Sequence, residues 1–419
     1  MNTTVSLNSL KERLKGREIY LRGARQLGFS TARTLRREGF EPTAFLDASP
    51  DLIGGRSAGL PVLAPGAIDG KTPGSFFIII TSGFFYTEIA AEYRAAGLVE
   101  GRDFIIGTEL QAFDYMVDVS GSCNLRCISC PRGNFRPQPS AGFMTAETYD
   151  KILEKIIRED PFVGAVALYQ WGEPLLNKDL PEMIRMSTAR GVQTAISSNL
   201  NYAKNLAEVV KAGPAWFRVS TSGWAEHYEE THRGGKWPVF LENLEKLRDL
   251  AAEYAPEMTI EVFYHIYKDR QDDYRKMKAH CDALGLPLRI RHAALAPLDT
   301  VDDLINGRPL SPEAEETRGL QYLKVEEAMR RAYDQRDLPC PYARYLWITW
   351  DGYMHLCMEW FDNSSRLEKK FLDTPLAEIL SEKANDRNTR FCRNCMDQGI
   401  HRCYVVYGDE SLIEPEINL

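Results

Sequence analysis

The chain has 419 residues, of which 44% are hydrophobic and 26% are charged, and its formal net charge at pH 7 is −8. This length exceeds what one ordinary hydrophobic core organises, so we expect two or three domains. Acidic and basic residues are interspersed without a run of Lys and Arg. Nucleic acid and anionic membranes are therefore not expected as partners.

The expected cellular compartment decides how the cysteines of this chain are interpreted. No stretch approaches the roughly 20 apolar residues that span a bilayer, and the first residues lack the apolar segment of a secretion signal. We therefore expect a cytoplasmic protein, in which thiols seldom pair as disulfides. Of the nine cysteines, three lie in 123–130 and five in 340–403. Such clusters indicate metal ligation.

Residues 1–110 are predicted to form a small α/β domain. Its candidate strands are 18–22, 43–46 and 76–80. A turn from Gly23 to Gly28, with Asp47 after the second strand, is similar to a nucleotide-binding unit but lacks the full G-x-G-x-x-G pattern. An ordinary strand-to-helix turn explains it equally well. The segment resembles the Rossmann-like N-terminal domains of sugar-modifying and methyl-transferring proteins.

From 111 to 300, predicted strands alternate with amphipathic helices such as 146–158 and 240–254. The candidate strands are 115–119, 165–169, 194–197, 216–220, 259–264 and 288–292. This alternation indicates parallel strands joined by crossover helices. Six such units predict a partial (β/α)6 barrel, with its chemistry at the carboxyl ends of the strands.

The remaining chain is predicted to form two parts. Residues 301–337 read as a charged helical connector, and residues 338–419 as a small cysteine-containing domain. This last domain contains a strand, an Asp351-Gly352 turn and a second strand, which is typical of a β-hairpin.

The first cysteine group is Cys123, Cys127 and Cys130, with the spacing C-x3-C-x2-C. Three thiolates on one loop favour iron–sulfur clusters or zinc. A closed zinc site needs a fourth Cys or His nearby, and the next candidates lie far along the chain. A cubane held by three cysteines leaves one iron open for an outside ligand.

This spacing, directly after the first predicted barrel strand, resembles the signature of the radical S-adenosylmethionine (SAM) superfamily. The resemblance implies a 4Fe–4S cluster on the three cysteines, with SAM on the open iron. It also implies an electron donor such as flavodoxin or ferredoxin. The residue before the third cysteine is commonly aromatic in the family and is Ser129 here. This departure concerns the usual adenine contact and not the cluster.

Further segments resemble the family's SAM-binding motifs. Gly172, Glu173 and Pro174 match a G-G-E-P motif in which Trp171 replaces the first glycine. Strand ends also carry serine and asparagine for ordinary turn chemistry. The resemblance nevertheless implies cofactor contacts at Ser197, Ser198 and Asn199, and at Ser220, where relatives often carry S-x-D-G and the acid is missing here.

The second cysteine group comprises Cys340, Cys357, Cys392 and Cys395. Four thiolates complete a site for zinc or for a cubane, and spacing alone does not separate the two. The pattern resembles the SPASM/Twitch extension, and five cysteines instead of seven imply its one-cluster Twitch form. Cys403 is left over. It is a spare thiol, an alternative ligand or a candidate hydrogen-atom donor to a substrate radical.

Three functions compete on this reading. The first is hydrogen abstraction from a small carbohydrate-like or aminocyclitol-like molecule, leading to oxidation or epimerisation. The second is modification of a peptide, although residues 1–110 do not read as a leader-binding winged helix. The third is a non-catalytic metal-cluster scaffold. Formation of 5′-deoxyadenosine from SAM would exclude the scaffold.

Overall fold

The computed structural model describes residues 7–24, 26–50, 52–82, 86–107, 110–134, 141–386 and 390–413. The chain divides into two compact units. The first unit comprises Met1–Asp114, Leu153–Ala165 and Ala189–Gln193, and the second comprises Tyr115–Ile152, Val166–Thr188 and Thr194–Leu419. The four-domain division expected from sequence stays a prediction.

The first unit contains a six-stranded sheet in the order β3-β4-β2-β1-β5-β6. All of its neighbouring strands are parallel except β3 and β4. Its elements are α1 (Leu7–Leu14), β1 (Glu18–Arg22), α2 (Gln26–Arg37), β2 (Ala44–Leu46), β3 (Arg56–Ser57), β4 (Leu60–Leu63), β5 (Phe76–Ile80), α3 (Tyr86–Ala95) and β6 (Phe104–Ile106).

Strand β5 explains why this sheet is covered on both faces. All five of its residues are buried, and alternate side chains of a strand point to opposite faces. Phe77 and Ile79 join one apolar cluster with residues of α1 and α2, whereas Phe76, Ile78 and Ile80 join another with residues of α3. This arrangement confirms the expected Rossmann-like α/β fold class.

The glycine turn after β1 is held by its own chain. The backbone N–H of Ala24 donates to Asp47 Oδ2 at 2.8 Å. A Cβ on Gly28 would lie 2.1 Å from the carbonyl oxygen of Gly23, so a larger residue does not fit without a shift of the turn. Asp47 thus orders the turn itself, as in an ordinary strand-to-helix connection. Arg25 lies outside the described residues.

The second unit contains a nine-stranded sheet in the order β12-β11-β10-β9-β8-β7-β13-β14-β15. The run from β7 to β12 follows chain order, and its assigned pairs are parallel. The elements of this run are β7 (Asp114–Val117), α4 (Pro131–Asn134), α5 (Ala146–Glu159), β8 (Ala165–Ala167), α6 (Leu180–Ala189), β9 (Gln193–Ser198), α7 (Leu206–Ala212), β10 (Trp216–Thr221), α8 (Glu226–Thr231), α9 (Trp237–Tyr254), β11 (Thr259–Ile266), α10 (Gln271–Leu284) and β12 (Leu288–His292). This sheet confirms the partial barrel that the sequence predicts.

The C-terminal region adds helices and three antiparallel strands to this unit. Its elements are α11 (Leu298–Ile305), α12 (Pro312–Leu320), α13 (Val325–Asp334), β13 (Tyr345–Ile348), β14 (Tyr353–His355), β15 (Arg366–Lys370), α14 (Leu376–Asp386), α15 (Arg390–Asp397) and α16 (Cys403–Tyr407). The predicted hairpin is present as β13 and β14, with Gly352 in the left-handed region at φ 85°. No helix in the described ranges is long and apolar enough to cross a bilayer.

The barrel strands carry two kinds of side chain. In β10 and β11, buried residues alternate with half-buried ones. The second set includes Arg218, Phe263 and His265. Since alternate residues share one face of a strand, these polar and aromatic groups share the face opposite Val219 and Val262. We call this face the lumen.

Candidate active site

The three-cysteine loop connects β7 to α4. Cys130 N donates to Cys127 O at 3.2 Å, and Gly133 N donates to Cys130 O at 2.8 Å, which curls the loop into the start of the helix. A Cβ on Gly133 would lie 2.0 Å from Cys127 O, so this turn requires glycine. None of the three thiols is in a disulfide.

The thiols of this loop face one another. Burial raises the pKa of Cys123 to about 12, and the negative charges of Glu173 and Cys130 act in the same direction. Burial also raises the pKa of Cys127 well above its usual value, with further contributions from Cys130 and Cys123. These shifts disfavour the thiolate form of the three half-buried cysteines, and a bound metal cation would stabilise that form.

The three thiols of this loop can be ligands of an iron–sulfur cluster. A four-iron cluster bonds each cysteine to a different iron, so its thiolates need not converge on one point.

The Gly172-Glu173-Pro174 turn lies against this loop. Glu173 N donates to Ser122 O at 2.8 Å, next to Cys123. A Cβ on Gly172 would lie 1.6 Å from Ser120 O, so only glycine allows this approach. The fold thus brings together the three-cysteine loop, which ends at Cys130, and the turn that begins 42 residues later at Gly172. Both lie at the carboxyl ends of β7 and β8.

The Glu173 carboxylate ties this turn to the next strand. Its Oε1 accepts the N–H of Leu175 at 3.1 Å, and its Oε2 accepts the N–H of Asn199 at 2.9 Å. The side chain is buried, and burial raises its pKa to about 7. Both oxygens are therefore engaged with backbone. A direct contact between this acid and the amine of SAM stays a prediction.

The serine and asparagine residues expected to contact the cofactor have different surroundings. Asn199 Nδ2 lies 3.7 Å from Cys123 Sγ and donates to Asn124 Oδ1 at 3.1 Å, which brings it to the cluster loop. Ser198 Oγ accepts the N–H of Leu200 at 3.0 Å. Ser197 Oγ accepts from Arg218 Nε in the lumen at 2.9 Å. Ser220 lies half-buried on β10.

Sequence reasoning missed the charged groups of the lumen. The Arg218 guanidinium lies 4.9 Å from the ring centre of Tyr169 and 5.2 Å from that of Phe263. His265 on β11 is the register partner of Arg291 on β12. The i, i+2 pattern of half-buried polar residues in these strands was the available signal.

The carboxylate of Glu359 balances these cations. Burial raises its pKa to about 7, and the positive charges of Arg291 and Arg218 oppose that rise. Burial and the same two arginines lower the pKa of His265 well below its usual value, so His265 is neutral. A lumen with two guanidinium groups and one carboxylate suits a polar substrate.

The second cysteine group lines one pocket of about 560 Å³. Cys340, Cys357, Cys392 and Cys395 all contribute to its wall, together with Lys383. Burial raises the pKa of the Cys357 thiol, and the nearby Cys340 adds to this effect. Four thiols around one volume, beside a buried cation, are a donor set that fits an anionic iron–sulfur cluster.

Cys403 has a different environment. It is fully buried among apolar residues at the start of α16. Burial alone raises its pKa, and it is absent from the wall of the four-cysteine pocket. Its role as hydrogen donor or ligand therefore stays a prediction without support from this geometry.

A comparison with protein families matches the part of the chain that contains the three-cysteine loop. Residues 117–273 match the family model described as Radical SAM superfamily. A curated relative, the AdoMet-dependent heme synthase of Oleidesulfovibrio alaskensis, is 24% identical over 173 residues, which cover 40% of this chain and 42% of that protein. The chain thus spans less than half the length of this relative.

Three solved structures are among those found to be similar to this chain. BtrN in complex with AdoMet and 2-DOIA has 18% identity, covers 70% of this chain and 89% of its own, and gives a TM-score of 0.41. Streptococcus suis SuiB bound to precursor peptide SuiA has 12% identity, with 73% and 71% covered and a TM-score of 0.46. AdoMet-bound anSMEcpe has 13% identity, with 67% and 82% covered and a TM-score of 0.44.

Proposed function

We propose that this protein reductively cleaves SAM and abstracts a hydrogen atom from a small molecule. The proposal starts from the match of residues 117–273 to the Radical SAM superfamily model. Enzymes of this superfamily use a 4Fe–4S cluster and SAM, act on a substrate and need an electron donor. The substrate class we propose is a carbohydrate or an aminocyclitol, and the outcome is oxidation or epimerisation.

One observation carries this proposal. The backbone of the Gly172-Glu173-Pro174 turn is hydrogen-bonded to the cysteine loop through Glu173 N and Ser122 O at 2.8 Å. The closest approach, at Gly172, excludes every side chain. A cofactor that bridges the open iron and this turn would find both parts at one mouth of the barrel.

The residues of the chain have separable roles in this proposal. Cys123, Cys127 and Cys130 hold the cluster, and Asn199 orders the first of these thiols from β9. When bound, the cluster supplies one electron and SAM supplies the radical that removes hydrogen. Glu173 keeps the turn and the end of β9 in register. Buried aromatic residues such as Tyr169 help to exclude water from the site.

The lumen supports a small polar substrate. Arg218 and Arg291 offer hydrogen-bond donors to a substrate, and Glu359 offers acceptors. His265 is neutral at physiological pH. These groups come from β10, β11, β12 and the segment after β14. A hydroxylated or aminated ring satisfies both donors and acceptors, whereas an apolar substrate would leave them unpaired.

We further propose that Cys340, Cys357, Cys392 and Cys395 hold an auxiliary 4Fe–4S cluster. Their common pocket and the buried Lys383 support this assignment. A cation near the site offsets part of the negative charge of a four-thiolate cluster. Bound there, such a cluster would supply a second electron-transfer site.

The test begins with uncoupled cleavage. Anaerobically reconstituted protein, reduced with dithionite, is expected to convert SAM into 5′-deoxyadenosine and methionine. Cys123→Ala is expected to abolish this conversion. Cys281→Ala is the matched control, because Cys281 is buried in α10 outside both cysteine groups, and it should retain conversion. Wild-type protein that loads a cluster but never forms 5′-deoxyadenosine would exclude the proposal.

Substrate class is tested by isotope transfer. Deuterated amino sugars and cyclitols are supplied one at a time, and the mass of 5′-deoxyadenosine is measured. Deuterium in this product identifies the attacked position. Transfer from a deuterated peptide, with none from any ring compound, would instead establish peptide modification.

A further inference from the structure

A pocket of about 470 Å³ lies between the cysteine loop and the β13–β14 hairpin, entirely within the second unit. Asp118, directly after β7, and Arg132, in α4, form one side of its wall. Trp347, Trp350 and Phe361 contribute aromatic side chains from the C-terminal region.

Among the residues that the structure describes, three polar atoms of this wall have no hydrogen-bond partner. They are Asp118 Oδ1, Arg132 Nε and Trp347 Nε1. Asp118 is 2% exposed and Trp347 is 3% exposed, so neither atom has ready access to bulk water. Buried polar groups are almost always hydrogen-bonded, and three orphans around one pocket indicate a missing ligand.

The unpartnered edges are held in place. Asp118 Oδ2 accepts the N–H of Trp171 at 3.2 Å, which leaves Oδ1 as the available oxygen. The Trp347 ring stacks on His355 at a centroid distance of 4.1 Å and is near-parallel to Phe361 at 6.3 Å. Trp347 Nε1 has no hydrogen-bond partner among the described residues, so its N–H remains for a ligand.

Glycines fix the indole of Trp350 in the same wall. A Cβ on Gly121 or Gly142 would lie 2.2 or 2.3 Å from atoms of this ring. The two glycines are also joined by a hydrogen bond from Gly121 N to Gly142 O at 2.8 Å. The pocket is therefore a built feature with rigid sides, as preorganised binding requires.

The orphans specify the chemistry of the ligand. Arg132 Nε and Trp347 Nε1 only donate, so they need two acceptors. The Asp118 carboxylate needs a donor. Neighbouring hydroxyl or amino groups on one ring provide acceptors and donors within a short span, whereas a carboxylate or phosphate offers acceptors alone and would face Asp118.

We infer that this pocket binds a polyhydroxylated or amino-substituted ring, through Asp118, Arg132 and Trp347, as the recognition subsite for the substrate. That the bound ring is the substrate of the enzyme rests on the proposed function, whereas the binding of a ring compound does not. Arg132 lies two residues after Cys130 and Asp118 lies five before Cys123, so a ring held here lies beside the loop that would carry the cluster.

The experiment measures binding apart from turnover. Glucosamine and myo-inositol are titrated calorimetrically into anaerobically reconstituted protein, with N-acetylglycinamide as a peptide-like probe. At least one ring compound is expected to bind. Trp347→Phe keeps the aromatic ring and removes one donor, and should raise its Kd about tenfold, the value of one hydrogen bond. Asp118→Asn should weaken an amine-bearing probe more than myo-inositol.

A matched control is Trp237→Phe, at the start of α9 and outside the pocket wall, which should leave the Kd unchanged. Binding of N-acetylglycinamide alone, or of no probe, overturns the inference, as does an unchanged Kd in Trp347→Phe. Cleavage of SAM by the wild-type protein is measured in parallel. It distinguishes failure of the proposed function from failure of the subsite. Ring binding without cleavage removes the proposed function, and cleavage without ring binding removes the subsite.

Discussion

The carboxylate of Glu173 accepts the backbone N–H of Asn199 at 2.9 Å. This bond joins the turn after β8 to the end of β9, and the side chain of Asn199 in turn reaches Cys123. Strand order alone would leave these loops separate. A single buried acid therefore ties the proposed SAM-binding turn to the end of β9, and Asn199 continues this connection to the three-cysteine loop.

Glu173→Gln is expected to weaken SAM use while preserving the cluster. The amide retains one acceptor oxygen and places an NH2 group against a backbone N–H, so one of the two bonds is lost. Loss of such a supporting contact typically costs about 10–100-fold in affinity or activity. The measurement is the SAM concentration dependence of 5′-deoxyadenosine formation, alongside iron content.

The control for this change is Glu182→Gln, in α6, whose carboxylate pairs with Arg185 at the surface. It should behave as wild type because exposed ion pairs contribute little. An unchanged SAM dependence in Glu173→Gln would show that the two backbone bonds do not position the turn.

Gly172→Ala is expected to disrupt the same mouth by sterics instead of charge. The added Cβ would lie 1.6 Å from Ser120 O, so the turn must move away from the cysteine loop. SAM cleavage should be lost. The variant should nevertheless fold like the wild type, as measured by circular dichroism.

Gly319→Ala is the matched substitution, since a Cβ there meets nothing within 4 Å and Gly319 is part of α12. Alanine is the better helix former by roughly 1 kcal/mol, so this variant should be as stable as wild type or more so. Cleavage by Gly172→Ala at the wild-type rate would show that the turn tolerates displacement.

Cys357→Ala is expected to remove the auxiliary cluster and leave the SAM-binding one. Cys357 shares its pocket with Cys340, Cys392 and Cys395 and is remote in sequence from the first loop. Iron and sulfide content should fall by about half if each site holds one cubane. Uncoupled 5′-deoxyadenosine formation should continue.

Cys403→Ala should keep the full iron content, because this thiol is buried among apolar residues outside the pocket wall. Iron loss in this variant would make Cys403 a ligand. Zinc in place of iron at the four-cysteine pocket, found after anaerobic purification, would contradict the auxiliary-cluster proposal.

Asp299 is expected to make stability fall as pH rises. Burial and the nearby charge of Asp362 raise its pKa to about 7 in the folded protein, above the value of an unfolded aspartate. Between about pH 4 and 7 the folded state therefore holds the proton more tightly, and raising the pH through this window removes stability.

The stability gain of Asp299→Asn over wild type should be larger at pH 8 than at pH 5 by roughly 2–3 kcal/mol, because about two pH units of the window between the unfolded and folded pKa lie above pH 5. Denaturant midpoints at the two pH values measure this. Equal shifts at both pH values would show that Asp299 is not protonated in the folded state at low pH.

Several features of this protein were readable from sequence because they depend on local spacing. Three thiols on one loop are close whatever the rest of the chain does, and alternating strands and helices must form parallel pairs with crossovers. The Asp351-Gly352 turn needs only a glycine at positive φ. Such signals identified the cluster loop, the barrel and the four-cysteine region.

Tertiary structure decided what lies between those segments. Glu173 was expected to face a ligand, and the fold directs both its oxygens to backbone N–H groups. Strand register places His265 beside Arg291 in the lumen. Packing between segments more than 200 residues apart buries the unpaired atoms of Asp118 and Trp347. Sequence determines which groups are present and which are neighbours along the chain. Burial and register determine which of them lose water and must find a partner, because that cost arises only when distant segments close around them.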